Sequence, residues 1–271
     1  MCALSVPAIA LTRGTNGEEV LIPQLGFGTY KVSADEAERV VCDALEVGYR
    51  HIDTAQMYGN EAGVGRAIKA SGLARQDLFV TSKLNNPNHR REDALRSFDA
   101  TMEALDLELL DLFLVHWPLA DSPGIDLVDT WRTMIEILHS GRVRAIGVSN
   151  YQPVHLHRIV EATGVVPAVN QVELHPWLTQ SELRSVHEQL GVTTESWSPL
   201  GRGRLLTDPV VIEIADAVGV SPAQVVIRWH LQNGLVVIPK STHRERMTAN
   251  ADVVGFTLED RKSTRLNSSH W

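Results

Sequence analysis

Four residues in the first half of the chain have the types and spacing of a proton-transfer site. Asp53 lies in the run HIDTA, Tyr58 follows in the next loop, Lys83 closes FVTSK and His116 closes LDLFLVH. A tyrosine of ordinary pKa, about 10, is a poor acid at neutral pH, but a buried lysine beside it favours the phenolate and so makes it a better proton donor. Asp53 would pair with that lysine. A neutral His116 could donate a hydrogen bond to a carbonyl oxygen while Tyr58 delivers a proton as charge develops there. The set suits carbonyl reduction. None of the four residues supplies electrons, so the hydride donor has to be a cofactor.

These side chains converge only if successive strands deliver them to one end of a fold. Eight short β-rich runs are spaced along the chain: QLGFGT (24–29), HIDTA (51–55), LFVTSKL (78–84), LDLFLVHW (110–117), AIGVSN (145–150), AVNQVE (168–173), TTESWSPL (193–200) and LVVIPK (235–240). The segments between them have helical periodicity and explicit ends. Ser33 with Glu36 spells a capping box, Ala37, Val40, Val41, Ala44 and Leu45 share one face, and Gly48 ends the helix. Trp131, Met134, Ile135 and Leu138 repeat the pattern before Gly141, while Asp208-Pro209 and Ser221-Pro222 each give an N-cap followed by proline. Before all of these, Asn16-Gly17 between two apolar runs predicts a tight hairpin.

Eight strand-helix units in about 250 residues predict an α/β (β/α)8 barrel with an N-terminal β-hairpin, whose active site lies at the C-terminal ends of the strands. A doubly wound sheet is the alternative, but GFGTYKVS lacks the third glycine of its dinucleotide fingerprint, and Gly59, Gly63 and Gly65 do not directly follow a strand. One domain is expected over 1–260. The polar, Ser/Asn-rich stretch 261–271 is expected to be a flexible tail.

Composition narrows the function classes. The 271 residues carry a formal charge of −8, which argues against a nucleic-acid or anionic-membrane surface. Two cysteines, Cys2 and Cys42, cannot staple a chain this long, and Cys42 falls on the apolar face of the first helix, where a core position is expected. No apolar run approaches about 20 residues and no basic residue precedes the mildly apolar N-terminus, so a cytoplasmic location is expected. His155 and His157 near Pro153, and the pair His51-x-Asp53, lack the further ligands a metal site needs, so none is expected.

Three longer segments carry a family resemblance: GYRHIDTAQMYGNEAGVG (48–65), RVRAIGVSNY (142–151) and IPKSTHRERMTAN (238–250). With Lys83 and His116 they resemble the signatures and catalytic tetrad of the aldo-keto reductases, from about Pro7 to Glu259. WSPLGRG (197–203), with Trp197 where many vertebrate members have tyrosine, is more similar to the bacterial 2,5-diketo-D-gluconate reductases. The resemblance implies NADPH-dependent reduction of aldehydes or ketones, keto-sugars among them, by a cytoplasmic monomer whose partner is a small carbonyl substrate, with no nucleic acid or membrane involved.

The site residues follow from the same resemblance. After the last strand, Lys240, Ser241 and Arg246 could gather with free helix-start amides around a phosphate; the resemblance makes this the adenosine 2′-phosphate. It further implies Asn250 at the adenine, Ser149, Asn150 and Gln171 at the carboxamide, and Trp197 stacked on the nicotinamide. Gly28, Thr29, Asp53, Ser198, Leu200, Gly201 and Thr242 complete the implied cofactor contacts. Tyr30, Tyr58, His116 and Trp117 are implied to face substrate. His243 and Ala249 depart from the threonine and glutamate common in vertebrate members. After GFTLED the sequence also departs from the helix and loop that close the barrel mouth in the family, which implies a more open substrate pocket. Two other readings stand beside the enzyme: a cofactor-binding regulatory subunit, and an inactive, truncated member. Retention of the whole tetrad favours the enzyme.

Overall fold

The computed structural model describes residues 3–11, 19–259 and 266. Strands β1 (Ala8–Leu11) and β2 (Val20–Pro23) pair antiparallel, with Leu11 opposite Val20. These are the arms of the predicted hairpin; its Asn16-Gly17 turn lies outside the described residues. Eight parallel strands follow: β3 (Phe27–Gly28), β4 (His51–Asp53), β5 (Phe79–Leu84), β6 (Leu110–Val115), β7 (Val143–Ser149), β8 (Val169–Glu173), β9 (Thr193–Trp197) and β10 (Val236–Val237). Each pairs with its sequence neighbour, and a parallel bridge from Leu25 to Val237 joins the two ends of the sheet. The amide of Gly26 donates to Val237 O at 2.9 Å and the amide of Val237 to Gln24 O at 2.7 Å, which closes the barrel. All eight predicted strand segments are present. The last is shorter than its apolar run because Pro239 has no N–H to continue the ladder.

Nine helices accompany the strands among the described residues, eight in the crossovers and the ninth after β10: α1 (Ala34–Val47), α2 (Glu61–Ser71), α3 (Arg91–Leu105), α4 (Leu127–His139), α5 (Pro153–Thr163), α6 (Ser181–Leu190), α7 (Pro209–Val218), α8 (Pro222–Gln232) and α9 (Arg244–Ala251). The apolar stripe of α1 is buried as read, and Gly48 takes φ 118°, a conformation that terminates the helix with bonds back to Ala44 and Leu45 carbonyls. Its predicted capping box is not made. The Ser33 hydroxyl donates to the Glu36 carboxylate at 3.2 Å instead of accepting from the helix amides. The two predicted proline starts do form: Asp208 Oδ1 accepts from the amides of Val210 and Val211, and Ser221 with Gln224 makes a full capping box. Cys42 is half-buried at the core's edge, its Sγ 4.0 Å from Ala67 O, because the helix turns it toward α2 and away from the strands.

Two apolar clusters separate the barrel's outside from its inside. The larger lies between strands and helices and includes Phe98, Trp131, Tyr151 and Trp229. The smaller fills the lumen, where Leu11, Val20 and Ile22 of the hairpin meet Phe79, Leu112, Leu114, Ala145, Val169 and Val236. Phe79, Val169 and Val236 are first residues of their strands, so the hairpin plugs the N-terminal end and leaves the C-terminal end for chemistry. The expectation of a flexible 261–271 tail falls outside the described residues apart from Leu266, which is fully buried in the larger cluster. Among the described residues no single helix is long and apolar enough to cross a membrane.

Candidate active site

The four predicted residues meet at the C-terminal end of the barrel. Parallel pairing sets Asp53 opposite Thr81 and carries Lys83 one step higher on β5, where its ammonium is buried. Lys83 Nζ donates to Asp53 Oδ1 at 2.6 Å, to Oδ2 at 2.8 Å and to Thr54 O at 2.8 Å. Tyr58 sits on a short turn, Gln56–Tyr58, with its ring centroid 5.2 Å from Lys83 Nζ and 5.7 Å from the His116 ring. Tyr30 packs on the outer side, 5.1 Å between ring centroids, and both Tyr30 and Trp117 are exposed at the mouth.

Polar side chains that the sequence did not single out hold this turn. Asn60 is buried beneath it and donates to Thr29 O at 3.0 Å and Val32 O at 2.9 Å, while accepting from the Thr54 hydroxyl at 2.9 Å. Gln56 donates to Ser97 O and the Thr101 hydroxyl and accepts from the Asn85 amide. The loop carrying Tyr58 is thereby fixed to β3, β5 and α3. Thr29 adds a hydroxyl bond to Asp53 O at 3.0 Å.

The electrostatics follow from burial and from the Lys83 charge. Burial pushes the Tyr58 phenol up and the neighbouring ammonium of Lys83 pulls it down, with burial the larger effect. Tyr58 is therefore fully protonated at neutral pH, a net direction opposite to the lowering expected from the cation alone. Burial works against the Lys83 charge, yet Asp53 and Tyr58 outweigh it and raise the ammonium above the ordinary lysine range. Burial, helped by Lys83, lowers His116 to about 3, so its ring is neutral.

The implied cofactor residues form a rim from β7 to α9. Ser149 Oγ donates to Gln171 O at 2.7 Å, Asn150 Nδ2 donates to His116 O at 3.0 Å, and Trp197 Nε1 donates to Asn150 Oδ1 at 2.9 Å. Asn150 at φ 63° and Ser198 at φ 49° hold left-handed backbone at the ends of β7 and β9, where the chain turns sharply out of the sheet. The Gln171 side chain is committed inward. Its Nε2 donates to Asp53 Oδ2 at 2.8 Å, a contact the resemblance did not indicate.

Beyond β10, Ser241 is buried, and its Oγ accepts from the His243 amide at 3.1 Å. Lys240 and Arg246 are exposed and make no ion pair among the described residues, whereas the intervening Arg244 is tied to Asp43 and Glu46. Gly28 and Thr29 are buried at the start of the rim, Leu200 and Gly201 lie after β9, and Asn250 is buried on α9. Thr242 is half-buried beside Ser241. No group of three or more His, Cys, Asp or Glu among the described residues is placed to hold a metal ion.

The family model described as "Aldo/keto reductase family" matches residues 24–270. The chain belongs to the aldo/keto reductase family. It is 48% identical over 262 residues to an aldo-keto reductase of Mycolicibacterium smegmatis, covering 97% of this chain and 93% of that one. It is 44% identical to 2,5-diketo-D-gluconic acid reductase B of Corynebacterium sp., over 94% of this chain and 90% of the relative. A crystal structure of a Gox0644 mutant in complex with NADPH superposes with a TM-score of 0.91 at 42% identity, covering 98% of this chain and 94% of the other. As an aldo/keto reductase, the protein is an NADP-dependent oxidoreductase of carbonyl groups on a (β/α)8 barrel.

Proposed function

We propose that this aldo/keto reductase uses NADPH to reduce an aldehyde or ketone, a keto-sugar among the candidates, with Tyr58 as the proton donor. The observation that carries the reading is the buried, tridentate Lys83 beneath the Tyr58 ring, charge-balanced by Asp53. When bound, NADPH would supply the hydride that the carbonyl carbon accepts. Tyr58 then gives its proton to the carbonyl oxygen, and the resulting phenolate is stabilised by the ammonium beside it in a site of low dielectric. His116 is neutral and carries one N–H; its buried Nδ1 has no acceptor among the described residues, which leaves Nε2 as the donor that orients the carbonyl. Asp53 keeps Lys83 charged and in place. Tyr30 and Trp117 offer aromatic faces to the substrate at the mouth.

The residues suit the cofactor's phosphate. Among the described residues Lys240 and Arg246 have no carboxylate partner, and the first turn of α9 has no side-chain cap at His243, so a phosphate there would meet two cations, the Ser241 hydroxyl and helix amides. Ser149, Asn150, Gln171 and Trp197 would take the nicotinamide end and Asn250 the adenine. NADPH should bind more tightly than NADH. Fluorescence titration of both cofactors tests this: Arg246→Ala should narrow the preference about tenfold or more, on the scale of one charge-assisted hydrogen bond. Unchanged NADPH affinity would remove Arg246 from the phosphate site.

A further inference from the structure

One carboxyl group below the active site is unexplained by the chemistry above. Glu195, in the middle of β9, is fully buried, and neither carboxyl oxygen has a hydrogen-bond donor among the described residues. Its register partners on β8 and β10 are Gln171 and Val236, so neither flanking strand brings a charge to it. Across the lumen, β4 contributes His51 and Asp53, and β5 contributes Lys83. The Gln171 amide gives its 2.8 Å bond to Asp53 Oδ2, and its pull in favour of a charged Glu195 is outweighed by burial and by the Asp53 charge. The His51 Nε2 is 3.7 Å from Glu195 Oε1, longer than a hydrogen bond.

The surroundings of His51 fix which of the two side chains carries a proton. His51 Nδ1 lies 3.4 Å from Pro23 O, a group that can only accept, so Nδ1 bears the ring hydrogen. Nε2 is then an acceptor, taking the Thr81 hydroxyl at 3.3 Å, and this nitrogen, 3.7 Å from Glu195 Oε1, has no hydrogen to offer the carboxyl group. A carboxylate beside this proton-free nitrogen and the Asp53 carboxylate would be opposed by both, whereas a neutral carboxylic acid is not. Gly26 preserves the arrangement, since a Cβ there would stand 2.5 Å from His51 Nδ1.

We propose that Glu195 is a positioning residue for the proton donor: it is held as a neutral acid beneath the Asp53–Lys83 pair, and its ionisation at alkaline pH weakens Tyr58. While Glu195 is neutral, Lys83 and Asp53 balance and the cation nearer the ring supports the phenolate that forms. Ionised Glu195 adds a net negative charge under the pair, which makes the phenolate harder to form. Burial, with the Asp53 charge second, pushes the Glu195 carboxyl up to about 8, and burial lowers His51 to about 4, so both groups are neutral at pH 7. The inference rests on Tyr58 being the acid.

The pH dependence of unfolding tests the neutral acid without using catalysis. The folded state holds a proton that the unfolded state releases above the ordinary carboxyl range, so stability falls as pH rises from there to about 8. Urea titrations from pH 5 to 8 should show the wild-type unfolding constant rising by an extra factor of about ten per pH unit relative to Glu195→Gln. Equal slopes in the two proteins would overturn the proposal. So would failure of both Glu195→Gln and Glu195→Met to fold, because a neutral side chain is what the site requires.

The second readout is the pH profile of NADPH-dependent kcat. Between pH 7 and 9 the wild type should lose about threefold or more, the size expected for a one-unit change in the acid's strength at half-sensitivity. Glu195→Gln should be flat over that range, and a wild-type-like decline in the variant would overturn the coupling to Tyr58. Tyr58→Phe, assayed in parallel, separates this failure from failure of the underlying reading, since an active Tyr58→Phe removes the acid itself while leaving the unfolding slopes to decide the state of Glu195.

Discussion

At the N-terminal end of the barrel the lumen is packed by Leu11, Val20 and Ile22 of the hairpin against Phe79, Val169 and Val236; at the C-terminal end it is packed by Lys83, Asp53 and Gln171, all equally buried. The apolar plug gains from removing surface from water, and each residue contributes according to its own volume. The polar end gains little from burial. It costs desolvation of an ammonium and a carboxylate, which close pairing and three short hydrogen bonds from Lys83 offset. One end of the lumen tolerates a lost methyl group; the other fails when one partner is removed. A charged Lys83 held by Asp53 is what the proposed acid Tyr58 requires beside it, so the proposal puts the chemistry at the costly end.

Lys83→Met is the strongest way to break this contrast. It leaves Asp53 buried with the Gln171 amide as its remaining side-chain donor, and should destabilise by about 3–5 kcal/mol, as other broken buried pairs do. Carbonyl reduction should fall by about 10²-fold or more in any protein that folds. Adding Asp53→Asn to Lys83→Met should recover much of the stability, measured by urea unfolding, and none of the turnover. If stability does not recover in the double variant, the pair is not the source of the loss.

At the other end, Ile22→Val should cost about 0.5–1.5 kcal/mol, the usual cost of one buried methyl group. Its kcat and KM should stay within about twofold of wild type, because the plug's partners Phe79, Val169 and Val236 stand at the strand starts, at the opposite end of the lumen from Tyr58 and Lys83. A kinetic change exceeding the stability change would show that the two ends are mechanically coupled and that the contrast is drawn too sharply.

The sequence made the scaffold and the tetrad readable for different reasons. Strands and helices are punctuated locally, by apolar runs such as LDLFLV and by stops such as Gly48, Asp208-Pro209 and Ser221-Pro222, so the alternation is visible without any tertiary information. The hairpin arms were legible from the same kind of signal. The Ser33 capping box is not realised because the exposed Glu36 carboxylate is taken by the Ser33 hydroxyl and the Arg39 guanidinium and does not reach back to the Ser33 amide. Contacts set by barrel closure were beyond reach: Gln171 meets Asp53 across 118 residues only because β8 and β4 face each other over the lumen. Asn60 was inside a recognised segment, yet its three bonds depend on where the β3 and β4 loops come together. Glu195 did leave a signal, a charged residue within a strand whose ends are bounded by turns, and reading it required knowing that β9 turns that residue inward.

The central claim is that Tyr58 supplies the proton and contributes little to holding the cofactor. Rapid mixing of enzyme–NADPH with a carbonyl substrate, followed by nicotinamide absorbance in a single turnover, isolates the chemical step in wild type and Tyr58→Phe. The account predicts an NADPH Kd within about twofold of wild type and a single-turnover rate lower by about 10²-fold or more, the usual contribution of a positioned acid. Equal single-turnover rates in the two proteins would contradict it.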